Sequence, residues 1–363
     1  MPQSPCDAVA GKKIKVGGQA IIEGVMMRSP GSLAMAVRRP DGKIVVREQQ
    51  WIGISHKYKF LRWPFLRGTV VLIESMTNGV SALTFSANQA AIAEAEAEAQ
   101  RKGDAADLGE KQPDGALSTL ALIGTVAFSL GLAILLFMVL PHVITALLGR
   151  LGGGAFDVDS GWFHLVDGLI KFVFFLAYVW GISFLKDIRR VFEYHGAEHK
   201  SIFTYEAGRP LTPHSAHDYG TLHPRCGTSF LMLVLSVSII LFSASFVLLP
   251  KLPEMHQVLR HLIYILIKLP LLIPIAGIAY EVTQLAGKHE DNRLLRLLVL
   301  PGIWFQHLTT REPTDDQVEI ALIALRKVLW REQVGESGGE KSEQTFDDYQ
   351  QALSGVAGEP AGG

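Results

Sequence analysis

The chain has 363 residues, 48% of them hydrophobic and 19% charged, which is too apolar for a disordered chain or a single small soluble domain. Lys and Arg number 34 against 35 Asp and Glu, so there is no basic excess to neutralise a nucleic-acid backbone, and nucleic acid is not expected as a partner. Two cysteines, Cys6 and Cys226, stand far apart and outside any CxxC pair; this excludes a disulfide framework and a four-thiolate zinc knot, and leaves any metal site to rest mainly on histidine and carboxylate.

In chain order, the opening run MPQSPCDAVAGKK lacks the apolar core and small-residue cleavage site of a secretory signal, so this start is expected to stay in the cytoplasm. Residues 12–92 read as a small β element followed by a helix. Segments 33–39 and 43–52 flank Arg39-Pro40-Asp41-Gly42, the punctuation of a β-hairpin. Residues 65–88 mix apolar side chains with Glu74, Ser75 and Asn78, the pattern of an amphipathic or interfacial helix rather than a span. Residues 93–115 are charged and poor in bulky apolar groups, a helical extension running into a solvated linker.

Four transmembrane helices are predicted beyond it. Residues 116–149 and 226–250 contain no Asp, Glu, Lys or Arg and exceed the roughly 20 apolar residues that cross a bilayer. Residues 164–185 carry Asp167 and Lys171, four apart and able to pair with each other, or Asp167 with Lys268. Residues 261–281 carry Lys268, with Pro270 and Pro274 expected to kink the helix. Lys and Arg crowd the amino-terminal segment and residues 186–225, which places both of these and both termini on the cytoplasmic side. Residues 282–333 read as cytoplasmic or interfacial helices, one of them opened by a Thr314/Gln317 capping box with Val318, Ala321, Leu322, Leu325, Val328 and Leu329 along one face. Residues 334–363 read as a disordered tail rich in Gly, Ser, Glu and Gln. The expected fold is therefore predominantly α-helical and polytopic, four transmembrane helices with a small N-terminal β-hairpin element and cytoplasmic helices, and its first partner is the lipid bilayer.

The chemistry gathers between residues 195 and 223, where five of the twelve histidines fall. His195 and His199 flank Glu198 in the order H-x-x-E-H; on a helix the two imidazoles share a face and can grip one ion at about 2.0–2.1 Å, with Glu198 as general base toward an activated water. A solvated helix start fits the same pattern. Catalytic zinc takes three protein ligands, and the candidates that follow are Glu206, His223 and Cys226, the last two spaced three apart at the mouth of the third span. His214 and His217 are read as solvated loop residues. The cofactor expected is a divalent metal, zinc by donor type. Glu281 is an alternative ligand, and Glu23 either pairs with Arg28 or faces the histidines. Gly17, Gly18 and Gly24 resemble a phosphate loop only in part, since no Gly-Lys-Ser/Thr follows.

Four runs carry a resemblance: Gly17-Gly18-Gln19-Ala20 with Glu23 to Arg28, Tyr194-His195-Gly196-Ala197-Glu198-His199-Lys200, His223-Pro224-Arg225-Cys226-Gly227-Thr228-Ser229-Phe230, and Leu308-Thr309-Thr310-Arg311-Glu312-Pro313. The sequence resembles the YqhQ family in these blocks and over roughly residues 14–330. Members are bacterial membrane proteins of unknown function that carry the label of metal-dependent enzymes. The resemblance implies that the blocks form one site, with His195, Glu198, His199, His223 and Cys226 at the matching positions, in a protein of the bacterial cell membrane. A metal-dependent hydrolase acting at the cytoplasmic membrane face is the first functional expectation; a non-catalytic metal-binding, sensing or scaffolding membrane protein is the second, and a small-solute or ion carrier the third.

Overall fold

The computed structural model describes residues 14–102, 124, 127–152, 160–248, 256–289, 292–335 and 341–357. Among them, strands β1 (Gly17–Ile21), β2 (Gly24–Arg28), β3 (Ser32–Arg38) and β4 (Ile44–Gln50) precede the helices, and β5 (Lys341–Phe346) follows nearly all of them. The five form one antiparallel meander in the order β1-β2-β3-β4-β5. The helices are α1 (Ile54–Lys57), α2 (Leu66–Lys102), α3 (Ala127–Leu151), α4 (Gly161–Ile182), α5 (Lys186–Glu206), α6 (Pro213–His217), α7 (Gly227–Leu248), α8 (Gln257–Lys288), α9 (Arg293–Thr309), α10 (Asp315–Val334) and α11 (Tyr349–Ala357).

The expected hairpin is present between β3 and β4. Gly42 takes a left-handed φ of 89° and its N–H donates to the Arg39 carbonyl at 2.9 Å, closing the turn. The hairpin is only part of a larger sheet that is apolar on both faces. Met27, Ala34, Ala36, Ile44 and Val46 belong to one core with α10 and α5, whereas Met26, Leu33, Met35, Val37 and Val45 belong to another with Ala82 and Phe85 of α2. Successive strand residues point to opposite faces, and a sheet covered on both sides needs apolar residues at every position.

Three expectations change here. The tail from residue 334 is not wholly disordered: Lys341–Phe346 pairs antiparallel with β4, and Tyr349–Ala357 is helical. A polar composition concealed a period-two pattern, in which alternate residues of β5 face outward. Helix α10 has its capping box, but it is buried all round rather than along one stripe, down to Lys327 and Arg331, whose charges lie 3.8 and 3.4 Å from the buried Glu48. Five helices, not four, are long and apolar enough to cross a membrane: Leu66–Arg101, Ala127–Leu151, Gly161–Ile182, Gly227–Phe246 and Leu262–Lys288.

Helices α3, α4, α7, α8 and α9 pack as a bundle whose outer surface is apolar; Leu130, Leu147, Val173, Ile240 and Leu266 are all more than half exposed. Helix α8 runs through Pro270 and Pro274. Residues 103–123 and 336–340, which include most of the expected linker and the start of the first span, lie outside the described residues.

Candidate metal centre

The site forms where α5, from the sheet module, meets Cys226, the residue just before α7, and the end of α9. Helix α5 comes very close to the segment after α9, because Gly196 carries no side chain: a Cβ there would lie 2.1 Å from the Arg311 carbonyl oxygen. The Arg311 N–H donates to the Phe192 carbonyl at 2.9 Å, fixing the contact. This is the work of the Leu308 to Pro313 block, whose backbone lies along α5.

The spacing of His195 and His199 puts their rings on one face of α5, with centroids 4.4 Å apart. Each is oriented by a backbone carbonyl. His195 Nδ1 lies 2.8 Å from the Thr309 oxygen, and His199 Nδ1 contacts the Thr221 oxygen. A carbonyl only accepts, so each Nδ1 is the protonated nitrogen and each Nε2 keeps its lone pair, the tautomer that metal-ligating histidines adopt. His195 Nε2 lies 3.2 Å from Cys226 Sγ, and the buried His199 Nε2 has no hydrogen-bond partner. The three ligand atoms lie within 4.8 Å of one another. Bond lengths of about 2.0 Å to nitrogen and 2.3 Å to sulfur place N and S roughly 3.5 Å apart on a tetrahedral ion, so the group needs only small adjustment to accept one.

Cys226 sits at the amino-terminal end of α7, where the Thr228 N–H and hydroxyl lie 3.4 and 3.1 Å from its sulfur. Those donors suit the thiolate that a metal requires. Burial pushes the His199 pKa below the ordinary imidazole range, with the nearby Cys226 sulfur opposing, and so favours the neutral ring that ligates. Burial also raises the Glu198 pKa, against the pull of His195, His223 and the Gly18 N–H. Gly18 of β1 is therefore no phosphate-loop fragment. A Cβ at that position would lie 2.7–2.8 Å from the Glu198 carboxyl group, so the glycine admits it.

The other expected ligands are placed differently. His223 adjoins His199, with ring centroids 5.5 Å apart, but its Nδ1 accepts the Arg225 N–H at 3.2 Å, and its Nε2 points at Glu206 Oε2, 3.5 Å away. Glu206 also receives Arg225. Burial alone would raise the Glu206 pKa, but His223 and Arg225 outweigh it and lower it. His223 and Glu206 thus form an ion-pair set beside the three-ligand group. Glu281 is held by Arg67, and Glu23 pairs with Arg190 and Tyr194 of α5 rather than with Arg28, which stacks over Trp51 at 4.4 Å. His217 lies 2.7 Å from Asp315 at the surface, as a solvated histidine should.

One residue of the site is absent from the sequence reading. Gln306, fully buried in α9, accepts the His223 N–H at 2.7 Å, donates to the His223 carbonyl at 2.8 Å, and donates to Ser229 at 2.6 Å. A lone amide in the apolar run 294–308 was the available signal.

An apolar helix bundle capped by a mixed sheet module, with a buried His–His–Cys group at the seam, defines the class of protein. Residues 63–331 match the family model described as "Protein of unknown function (DUF1385)". The chain is also 32% identical over 335 residues to "Uncharacterized protein YqhQ" of Bacillus subtilis, an alignment that covers 90% of this chain and 96% of that one. It belongs to this YqhQ/DUF1385 family. No solved structure matches it.

Proposed function

We propose that the chain is a multi-pass protein of a bacterial cell membrane that holds zinc on His195, His199 and Cys226 and uses Glu198 in a hydrolytic reaction at the cytoplasmic membrane face. The observation that carries the reading is the pair of carbonyl-oriented imidazoles, whose Nε2 atoms converge with a buried sulfur. Three protein ligands leave a fourth position open, the arrangement of catalytic rather than structural zinc. Zinc bound there supplies a Lewis acid that activates water. Glu198, between the two histidines in the HxxEH run and buried against Gly18, would take and pass the proton.

Parity supports four crossings out of five candidates. Strands β4 and β5 pair in one sheet, so residues 50 and 341 lie on one side of any membrane, and the crossings between them are even in number. Helix α2 returns to that sheet along its length: Glu74 accepts the Ile54 N–H at 2.6 Å, Ser86 donates to the Ile22 carbonyl, and Gln89 donates to Glu343 at 3.0 Å. It stays on the sheet's side, leaving α3, α4, α7 and α8 to cross. Just before it, residues 51–67 hold Lys57, Lys59, Arg62 and Arg67 with no acid, beside the exposed Tyr58 and Trp63, the composition of a headgroup interface.

Elemental analysis of the purified protein tests the metal. One zinc per chain is expected in the parent, little in His195→Ala, His199→Ala and Cys226→Ser, and equal content in all four overturns the reading. A second reading, a structural metal clip that ties α5 to α7, is favoured by burial, since the three ligands are only 7%, 1% and 8% exposed. Cobalt substitution separates the two. A visible spectrum that shifts on adding azide marks an open position, and one blind to azide marks a closed clip.

A further inference from the structure

A second buried cluster lies at the opposite end of the bundle. There the start of α4, the end of α7 and the first part of α8 meet: the His164 ring is 3.8 Å from Phe246 and 6.4 Å from Tyr264. Asp167, 2% exposed, receives Lys171 at 2.6 Å and Lys268 at 3.4 Å through the same oxygen, while His142 of α3 approaches the other at 3.6 Å. The Lys268 ammonium also sits 5.4 and 5.6 Å from the Phe242 and Phe246 rings, which fixes it in place.

The charges do not balance. Two ammonium groups share one carboxylate, and residues 127–151, 161–182, 227–248 and 257–280 contain no acid other than Asp167. The other acid of the bundle helices, Glu281 of α8, is held by Arg67, so among the described residues these helices do not supply the missing negative charge. A net charge in an apolar bundle is costly, and such groups mark a ligand or ion pathway by default. The exposures are graded as a receptor for an anion would be: the carboxylate is sealed inside, and Lys268, His142 and Lys171 are 12%, 16% and 22% exposed. Side chains tilt toward the amino end of their helix. Helices α4 and α8 both begin at this end, so both lysines lean toward that end of the bundle. Each ammonium carries three donors, and Lys171 has spent one on Asp167.

We infer that Lys171 and Lys268 form a binding site for a phosphate-bearing anion, a lipid headgroup or free phosphate, at the end of the bundle remote from the His–His–Cys group. Asp167 positions the two lysines, and the anion supplies the charge that the helices lack. The site does not depend on the metal reading.

The test compares the full-length protein in nanodiscs of phosphatidylcholine with and without phosphatidylglycerol, at fixed ionic strength, and in phosphatidylcholine with added inorganic phosphate. The readouts are the thermal midpoint and, by native mass spectrometry, the anionic lipid retained per chain. Lys171→Met leaves a neutral Asp167–Lys268 pair and Lys268→Met leaves a neutral Asp167–Lys171 pair, so each variant removes the surplus charge without stranding the carboxylate. Lys171→Arg keeps it. The parent and Lys171→Arg are expected to gain midpoint with the anion, and both Met variants to lose that gain and one retained anion. A gain with phosphatidylglycerol alone assigns a headgroup, and an equal gain with phosphate assigns the free anion. A parent that responds to neither, or Met variants that respond as the parent does, overturns the site.

Discussion

The two buried polar clusters stand about 24–30 Å apart along α7, at 1.5 Å per residue from Cys226 to Phe242 and Phe246, and they solve opposite problems. Near Cys226, burial gathers neutral donors: lone pairs on His195 and His199 face a sulfur, and backbone carbonyls hold the rings. Near Phe246, burial gathers full charges that hold one another, with two ammonium groups on Asp167. The first cluster presents donors of the kind that hold a cation, and the second sets two ammonium groups on one carboxylate. A buried polar group is thus no single kind of signal; the sign and protonation state left over after pairing tell which ligand would complete it.

The comparison predicts unequal responses to deletion. At the first cluster, His199→Ala removes one of the three proposed ligands, and zinc content measured on the purified protein should fall at least about tenfold, since losing even a group that orients a ligand costs roughly 10–100-fold. At the second, Asp167→Asn strands two cations in an apolar bundle, and denaturant unfolding in mild detergent should show a loss of about 3–5 kcal/mol. Smaller is Gly18→Ala, whose new Cβ must push the Glu198 carboxyl group aside; about 1–3 kcal/mol of overpacking is expected in the melting curve.

Acid should also distinguish the ends. Burial holds His199 below its ordinary pKa, so the unfolded chain binds a proton near pH 6.5 while the folded chain does not. Below that value the unfolded state binds more protons, and the metal-free protein should lose up to about 1.4 kcal/mol per pH unit as pH falls, until the folded ring titrates as well. His199→Gln should flatten that slope in a pH series of melts. The smallest effect belongs to Glu206→Gln: the carboxylate is 29% exposed and pairs with Arg225 and His223. Partial exposure limits the loss to about 1 kcal/mol, with zinc content unchanged.

What could be read from the sequence was what lies close together along it. The HxxEH spacing, the apolar runs, the hairpin around Gly42 and the Thr314/Gln317 box are each decided within one or two helical turns, and each is found in the structure. The ion partner of Asp167 was left between Lys171 and Lys268, and the bundle uses both. What escaped depends on distant segments. Pairing of β5 with β4, Glu23 reaching Arg190, the carbonyls of Thr221 and Thr309 behind the histidines and the Gln306 clamp each join segments far apart in the chain. Proximity in sequence groups Glu206 and His223 with the ligands, and it does not reveal that His223 Nδ1 accepts the Arg225 N–H while Nε2 faces Glu206.

The strand order has a consequence for biosynthesis. Because β5 is made after every bundle helix, β4 leaves the ribosome with one hydrogen-bonding edge open and must wait while those helices are synthesised, roughly 15–60 s at ordinary elongation rates. An open edge of this kind invites pairing with a foreign strand. The closing strand therefore acts as a late seal, and a nascent chain released before residue 341 would expose a sticky flank that quality-control proteases and chaperones can recognise.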